Sequence, residues 1–196
     1  MSSVQAAKRL LRKEMKNRLV AMSKEQILLQ SEQLTEKLLA NPIYKESNRI
    51  AIYLSMSEEV QTCGILKNIF STGKHCFIPR YESVNNSMEM LRLHSMDDIQ
   101  TLEVTKWDVR QPSEIDGREN ALETGGLDLI IVPGLAFTIS GQRLGRGKGY
   151  YDTFLKRCTS IQKDPPDTIA LSFTEQIVES IPTEGHDFII DSVIIP

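Results

Sequence analysis

The run Arg143-Leu144-Gly145-Arg146-Gly147-Lys148-Gly149-Tyr150-Tyr151-Asp152 alternates three glycines with cations and opens into a helix-like stretch, residues 150–158. Glycine lets the backbone take positive φ, so consecutive amides can converge on one anion. Arg146 and Lys148 add full charges, and the unsatisfied N–H groups of the following helix's first turn point the same way. Together these make a phosphate cradle, in which each charge-assisted hydrogen bond contributes about 1.5–3 kcal/mol and the helix terminus about 0.3–1 kcal/mol. The spacing belongs to neither common phosphate loop. Against G-x-x-x-x-G-K-[ST], Gln142 stands at the first glycine and Gly149 follows the lysine; Gly145-x-Gly147-x-Gly149 is also not G-x-G-x-x-G. A glycine-rich surface turn with solvated cations is the competing reading. Three glycines alone favour it, whereas Arg143, Arg146, Lys148 and a helix start occurring together do not.

The elements that must hold this loop read as follows. Residues 3–22 form a helix with Val4, Ala7, Leu10, Leu11, Met15 and Leu19 on one stripe, and Lys8 and Arg12 share another face. Ser23-Lys24-Glu25-Gln26 is a capping-box opening for a second helix, carrying Ile27, Leu34, Leu38 and Leu39 and stopping at Asn41-Pro42. Residues 49–54 have strand length, and a helical stretch bearing Ile65, Leu66, Ile69 and Phe70 follows. Further strands are predicted at 75–79, 88–94, 127–133 and 168–173 and within 188–195, with a short helical turn near 175–178 and a long irregular connection at 108–126. The nearly unbroken aliphatic run 127–133 suits a parallel strand covered on both faces. Strand and helix alternate from residue 49 onward. The expectation is an α/β fold, a three-layer α/β/α arrangement around a mainly parallel sheet, forming a single domain over residues 1–196 with residues 1–40 as its N-terminal helices. Ligands of such sheets bind beyond the carboxyl ends of the strands, where residues 54–59, 79–81 and 133–151 would emerge.

Composition bounds the alternatives. At 196 residues, 40% hydrophobic and 25% charged with a net charge of −3, the chain is of ordinary globular type and demands no polyanionic partner. Six cations, Lys8, Arg9, Arg12, Lys13, Lys16 and Arg18, stand against Glu14 alone within residues 8–18. An RNA-binding module built on that segment is the second reading; the acidic remainder and the lack of aromatics among the cations count against it, so no nucleic-acid partner is expected. Cys63, Cys76 and Cys158 are widely separated and form no C-x-x-C pair, which indicates neither a disulfide framework nor a zinc site and suits a reducing compartment. With no signal-like apolar core and no membrane-length apolar run, the expectation is a cytoplasmic monomer without a membrane partner.

The string Pro133-Gly134-Leu135-Ala136-Phe137, continuing through Gly141-x-Arg143 to Asp152, resembles the signature of the 5-formyltetrahydrofolate cyclo-ligase family, also called 5,10-methenyltetrahydrofolate synthetase. Lys8-Arg9-x-x-Arg12, Leu54-Ser55-Met56 followed by Glu59, Phe77-Ile78-Pro79-Arg80-Tyr81, and Gly125-Gly126-Leu127-Asp128-Leu129-Ile130 are similar to the family in order and spacing, so the resemblance spans essentially the whole chain.

That resemblance implies an ATP- and magnesium-dependent enzyme that converts 5-formyltetrahydrofolate, polyglutamylated forms included, into 5,10-methenyltetrahydrofolate with release of ADP and phosphate through an imidate phosphate. It implies catalytic roles for Arg146 and Lys148. It assigns ATP to Lys8, Arg9, Leu10, Leu11 and Arg12 and to Arg143, Leu144, Gly145, Arg146, Gly147, Lys148, Gly149, Tyr150 and Tyr151. Folate falls to Leu54, Glu59 and Trp107 together with Arg146, Gly147, Lys148, Gly149 and Tyr150, and magnesium to Asp152 and Asp187. Without the resemblance, the basic residues of the first helix read as a solvated face, Glu59 as a helix-start acid, Trp107 as a core tryptophan, Asp152 as a first-turn charge and Asp187 as a turn residue. A kinase-like phosphotransferase is a further reading the loop chemistry allows. His186, beside Asp187, is placed at the border of the metal, and no histidine is given a catalytic role. One residue departs from the family pattern: where an Asp commonly follows the Phe, Thr138 stands here, which predicts a weakened contact to the loop or the metal.

Overall fold

The computed structural model describes residues 3–82, 87–105, 109–113, 116–185 and 187–196. In chain order its elements are α1 (Ser3–Val20), α2 (Lys24–Ala40), α3 (Pro42–Glu46), β1 (Arg49–Ala51), α4 (Cys63–Ser71), β2 (His75–Glu82), β3 (Ser87–Leu93), β4 (Glu103–Val104), β5 (Arg110–Gln111), β6 (Leu129–Val132), β7 (Ala136–Phe137), β8 (Arg143–Leu144), α5 (Tyr150–Ile161), β9 (Asp167–Leu171) and β10 (Ser192–Ile194), with short 3-10 turns between some of them. Six strands form one sheet in the order β10-β9-β6-β1-β2-β3. All its pairings are parallel except that of β2 with β3, which is antiparallel.

Strand alternation divides the core into two layers. Leu129 and Ile131 of β6 face the same side as Ile50, Cys76, Ile78, Ile169 and Leu171, where they meet Met15 and Leu19 of α1, Leu34 and Leu38 of α2 and Ile65 of α4. Ile130 and Val132 face the opposite side with Ala51, Phe77 and Ala170, covered by Tyr151, Phe154, Leu155 and Cys158 of α5. The expected three-layer α/β/α arrangement around a mainly parallel sheet is therefore present. Among the described residues, no helix is long and apolar enough to cross a membrane.

Local departures from the sequence expectations have identifiable causes. The capping box forms, with Gln26 N donating to Ser23 Oγ and Ser23 N to Gln26 Oε1. Pro42, expected only to stop α2, also serves as the first residue of α3, with Asn41 Oδ1 accepting from Ile43 N. The strand expected at 49–54 keeps its ladder only to Ala51, because the chain leaves the sheet to build the turn carrying Glu59. The α1 stripe is Leu11, Met15 and Leu19; Leu10 is 68% exposed, and Lys8 takes its place on the buried face.

Candidate active site

β7 and β8 form an antiparallel ribbon, pairing Ala136 with Leu144 and Phe137 with Arg143, that delivers the chain to the glycine loop. The loop ends at Gly149, which takes a left-handed conformation (φ 75°) as the N-cap of α5. At the far end of the ribbon, Thr138 is buried; its Oγ1 lies 2.9 Å from Ser140 Oγ and accepts from Gln142 N. The hydroxyl closes the 138–141 turn, so the weakened contact to loop or metal expected at this position gives way to a role in shaping the ribbon.

Arg143, expected among the phosphate-binding cations, runs underneath the loop. Its guanidinium donates to Pro133 O at 3.2 Å and to Asp152 Oδ2 at 2.8 Å, and it lies over the Tyr151 ring. Glycine is required on both sides: a Cβ on Gly145 would come within 2.8 Å of an Arg143 nitrogen, and one on Gly134 within 3.1 Å of its Cγ. The buried side chain of Gln176 braces the same corner by donating to Gly134 O. Nothing in the sequence pattern signalled Gln176. Leu144 is buried in the core, which leaves its backbone as the part facing the loop.

α1 folds back onto the loop. Arg12 Nε donates to Gly145 O at 2.9 Å, and its guanidinium lies 3.3 Å from where a Cβ on Gly147 would stand, at a φ of 102°. Lys8 is buried, with Nζ 2.8 and 2.6 Å from the two oxygens of Asp187. Lys8 and Arg12 are thus docked at the loop, while Arg9 and Leu10 face solvent.

The two aspartates are drawn to one place. Asp152, in the first turn of α5, accepts from Arg143 and from Phe188 N, the amide following Asp187; Asp187 accepts from Lys8 and from Glu184 N. Each carboxylate is matched by one organic cation. Among the described residues there is no group of three or more His, Cys, Asp or Glu able to hold a metal.

On the other side of the loop, Arg146 donates to Glu59 Oε1 at 2.9 Å. Glu59 sits in a turn held by Gln61, whose Nε2 donates to Met56 O and Glu59 O, and Leu54 packs at the edge of the core just before it. The Tyr150 and Tyr81 rings meet with centroids 5.1 Å apart, tilted by 52°. Tyr53 and Tyr151 are buried nearby, and burial pushes both phenols well above their ordinary range, so they remain protonated donors. Lys148 projects into solvent from the middle of the loop and has no ion-pair partner among the described residues. Trp107 and His186 lie outside the described residues.

The model of the 5-formyltetrahydrofolate cyclo-ligase family matches residues 4–196. The chain is 54% identical over 192 residues to 5-formyltetrahydrofolate cyclo-ligase of Mus musculus, covering 98% of this chain and 95% of the relative. It is 37% identical over 195 residues to a probable 5-formyltetrahydrofolate cyclo-ligase of Caenorhabditis elegans, covering 99% and 95%. Among solved structures it is similar to the 5,10-methenyltetrahydrofolate synthetase of Aquifex aeolicus, with a TM-score of 0.76 and 29% identity over 95% of this chain and 88% of that one.

Proposed function

Because the chain belongs to the 5-formyltetrahydrofolate cyclo-ligase family, a group of ligases, we propose that its glycine loop is the place where ATP and 5-formyltetrahydrofolate meet, the products being 5,10-methenyltetrahydrofolate, ADP and phosphate. The observation that carries this reading is the reach of the loop: it is tied at Gly145 to the cationic face of α1 and at Arg146 to Glu59, so one short segment borders both substrates.

The chemistry follows from the substrate. A formamide oxygen is a poor leaving group and phosphate a good one. In the proposed sequence the formyl oxygen attacks the γ-phosphorus and the bond to the ADP oxygen breaks, leaving an imidate phosphate at N5. N10 then adds to the imidate carbon, the carbon–oxygen bond breaks, phosphate departs with the former formyl oxygen, and N10 gives up its proton. Positioning and charge stabilisation are the protein's part. Loop amides and the α5 N-terminus receive the triphosphate, Lys148 and Arg146 stabilise charge on the transferred group, Arg12 holds the loop, and Glu59 accepts from the amino-pyrimidine with Tyr150 beside it. Trp107 stays in the proposal as a folate-stacking residue. Leu54 borders the folate side, and Arg9, Leu10, Leu11 and Tyr151 belong to the nucleotide's surroundings.

Asp152 and Asp187 suit magnesium as hard oxygen donors that need phosphate oxygens to complete a coordination shell. Both are charge-balanced by Arg143 and Lys8, which fits an ion arriving with the nucleotide. When bound, magnesium would neutralise charge on the phosphates. The free thiols of Cys63, Cys76 and Cys158 support a reducing, cytoplasmic setting for an enzyme acting as a monomer, on polyglutamylated folates as well.

Purified protein given 5-formyltetrahydrofolate and magnesium-ATP is expected to form 5,10-methenyltetrahydrofolate and ADP one for one, with formation stopping when ATP is omitted or magnesium chelated. Cyclisation at the same rate without ATP would refute the proposal.

A further inference from the structure

The Glu59–Arg146 pair joins a fixed residue to a movable one. Glu59 has a side chain only 13% exposed; its Oε2 accepts from Met56 N, and its turn is closed by Gln61, whose own amide donates to Ser31 of α2. Arg146 is 42% exposed, has Glu59 as its only side-chain partner among the described residues, and is followed by Gly147 and Gly149 at φ of 102° and 75°. Any exchange at this contact therefore moves Arg146 and leaves Glu59 in place.

The chemistry of the two possible occupants of Glu59 is alike. The 2-amino-4-oxo edge of a reduced pterin offers N3–H and an exocyclic N–H side by side, the same donor fork that a guanidinium presents to a carboxylate. Resting on the reading of Glu59 as the pterin acceptor, we propose that Arg146 is an internal stand-in for the pterin edge: it occupies Glu59 in the empty enzyme, is displaced when folate binds, and moves as a free cation toward phosphates held near Lys148. The exchange selects for ligands with a two-donor edge, and it couples the substrates. Nucleotide that attracts Arg146 frees Glu59 for folate, and by reciprocity folate raises nucleotide affinity by the same factor.

The test is calorimetric binding of 5-formyltetrahydrofolate, with and without a non-hydrolysable ATP analogue and magnesium, to the unaltered protein, Arg146→Met and Glu59→Gln. In the unaltered protein the analogue should tighten folate binding by about threefold, the scale of one partly exposed ion pair. Arg146→Met should bind folate about threefold tighter without nucleotide, and the analogue should then have no effect. Arg146→Met with unchanged or weaker folate affinity, or with the full effect of the analogue retained, overturns the coupling. Glu59→Gln separates the two failures: if it binds folate as well as the unaltered protein, the assignment of Glu59 to the pterin itself falls; if it loses affinity while Arg146→Met retains the analogue's effect, only the coupling falls.

Discussion

Lys148→Ala is expected to lower kcat by about a hundred- to a thousandfold, the usual cost of removing one donor aimed at charge that develops in the transition state, while leaving the melting temperature unchanged. The two parts of this expectation have separate origins. The side chain is exposed and unpaired among the described residues, so its loss opens no cavity and leaves no buried carboxylate without a counter-charge. In the reaction, by contrast, the ammonium stands beside a phosphoryl group whose charge shifts as the bond to ADP breaks, and no neighbour is free to replace it: Arg143 is committed to Asp152, Arg12 to Gly145 and Lys8 to Asp187. Steady-state kinetics alongside thermal unfolding checks both halves. Turnover within a fewfold of the unaltered enzyme would remove Lys148 from the chemistry.

Gly141→Ala is expected to destabilise the fold by about 3–5 kcal/mol, combining a left-handed conformation imposed on alanine with overpacking. Gly141 has a φ of 86°, and a Cβ there would lie 2.0 Å from Ile190 O and 3.1 Å from Ile189 Cγ2. The clash is with backbone, so relief requires the 187–190 segment to shift, although Ile190 N also bonds to Gly141 O. That segment carries Asp187 and the amide that holds Asp152, so the damage should extend to the site. Thermal unfolding should show a drop in Tm on the order of 10 °C. Gly73→Ala is the control, since Gly73 has a similar φ of 70° but nothing within 4 Å of the added atom. Equal effects at the two glycines would mean that the 187–190 segment yields easily.

The parts of the fold legible in the sequence were those with a repeating or chemically explicit signal. The aliphatic run ending at Val132, the Ser23–Gln26 box and the glycine loop each announce their conformation locally, and the loop does open α5. The β7–β8 ribbon was not legible: two residue pairs carry no period, and its closure depends on the hydroxyl of Thr138 folding over a turn. Charged residues were legible as cations and carboxylates but not by partner. Arg143 stands beside a glycine motif and reads as a ligand cation, yet its reach to Asp152 depends on how the loop turns into α5. Lys8 reads as part of a solvated face, and only the docking of α1 reveals its bond to Asp187, 179 residues away. The whole-chain resemblance supplied what spacing lacked, except at Thr138, where the local hydrogen bonds decide.

The central claim is that the loop brings the terminal phosphoryl group of ATP onto the formyl oxygen of the folate. Single-turnover reaction of 5-formyltetrahydrofolate carrying heavy oxygen in its formyl group, followed by mass analysis of the released phosphate, tests it most directly. The label should appear in inorganic phosphate, one atom per turnover. Label released into water, with unlabelled phosphate, would contradict phosphoryl transfer to the formyl oxygen and with it the role given to the loop.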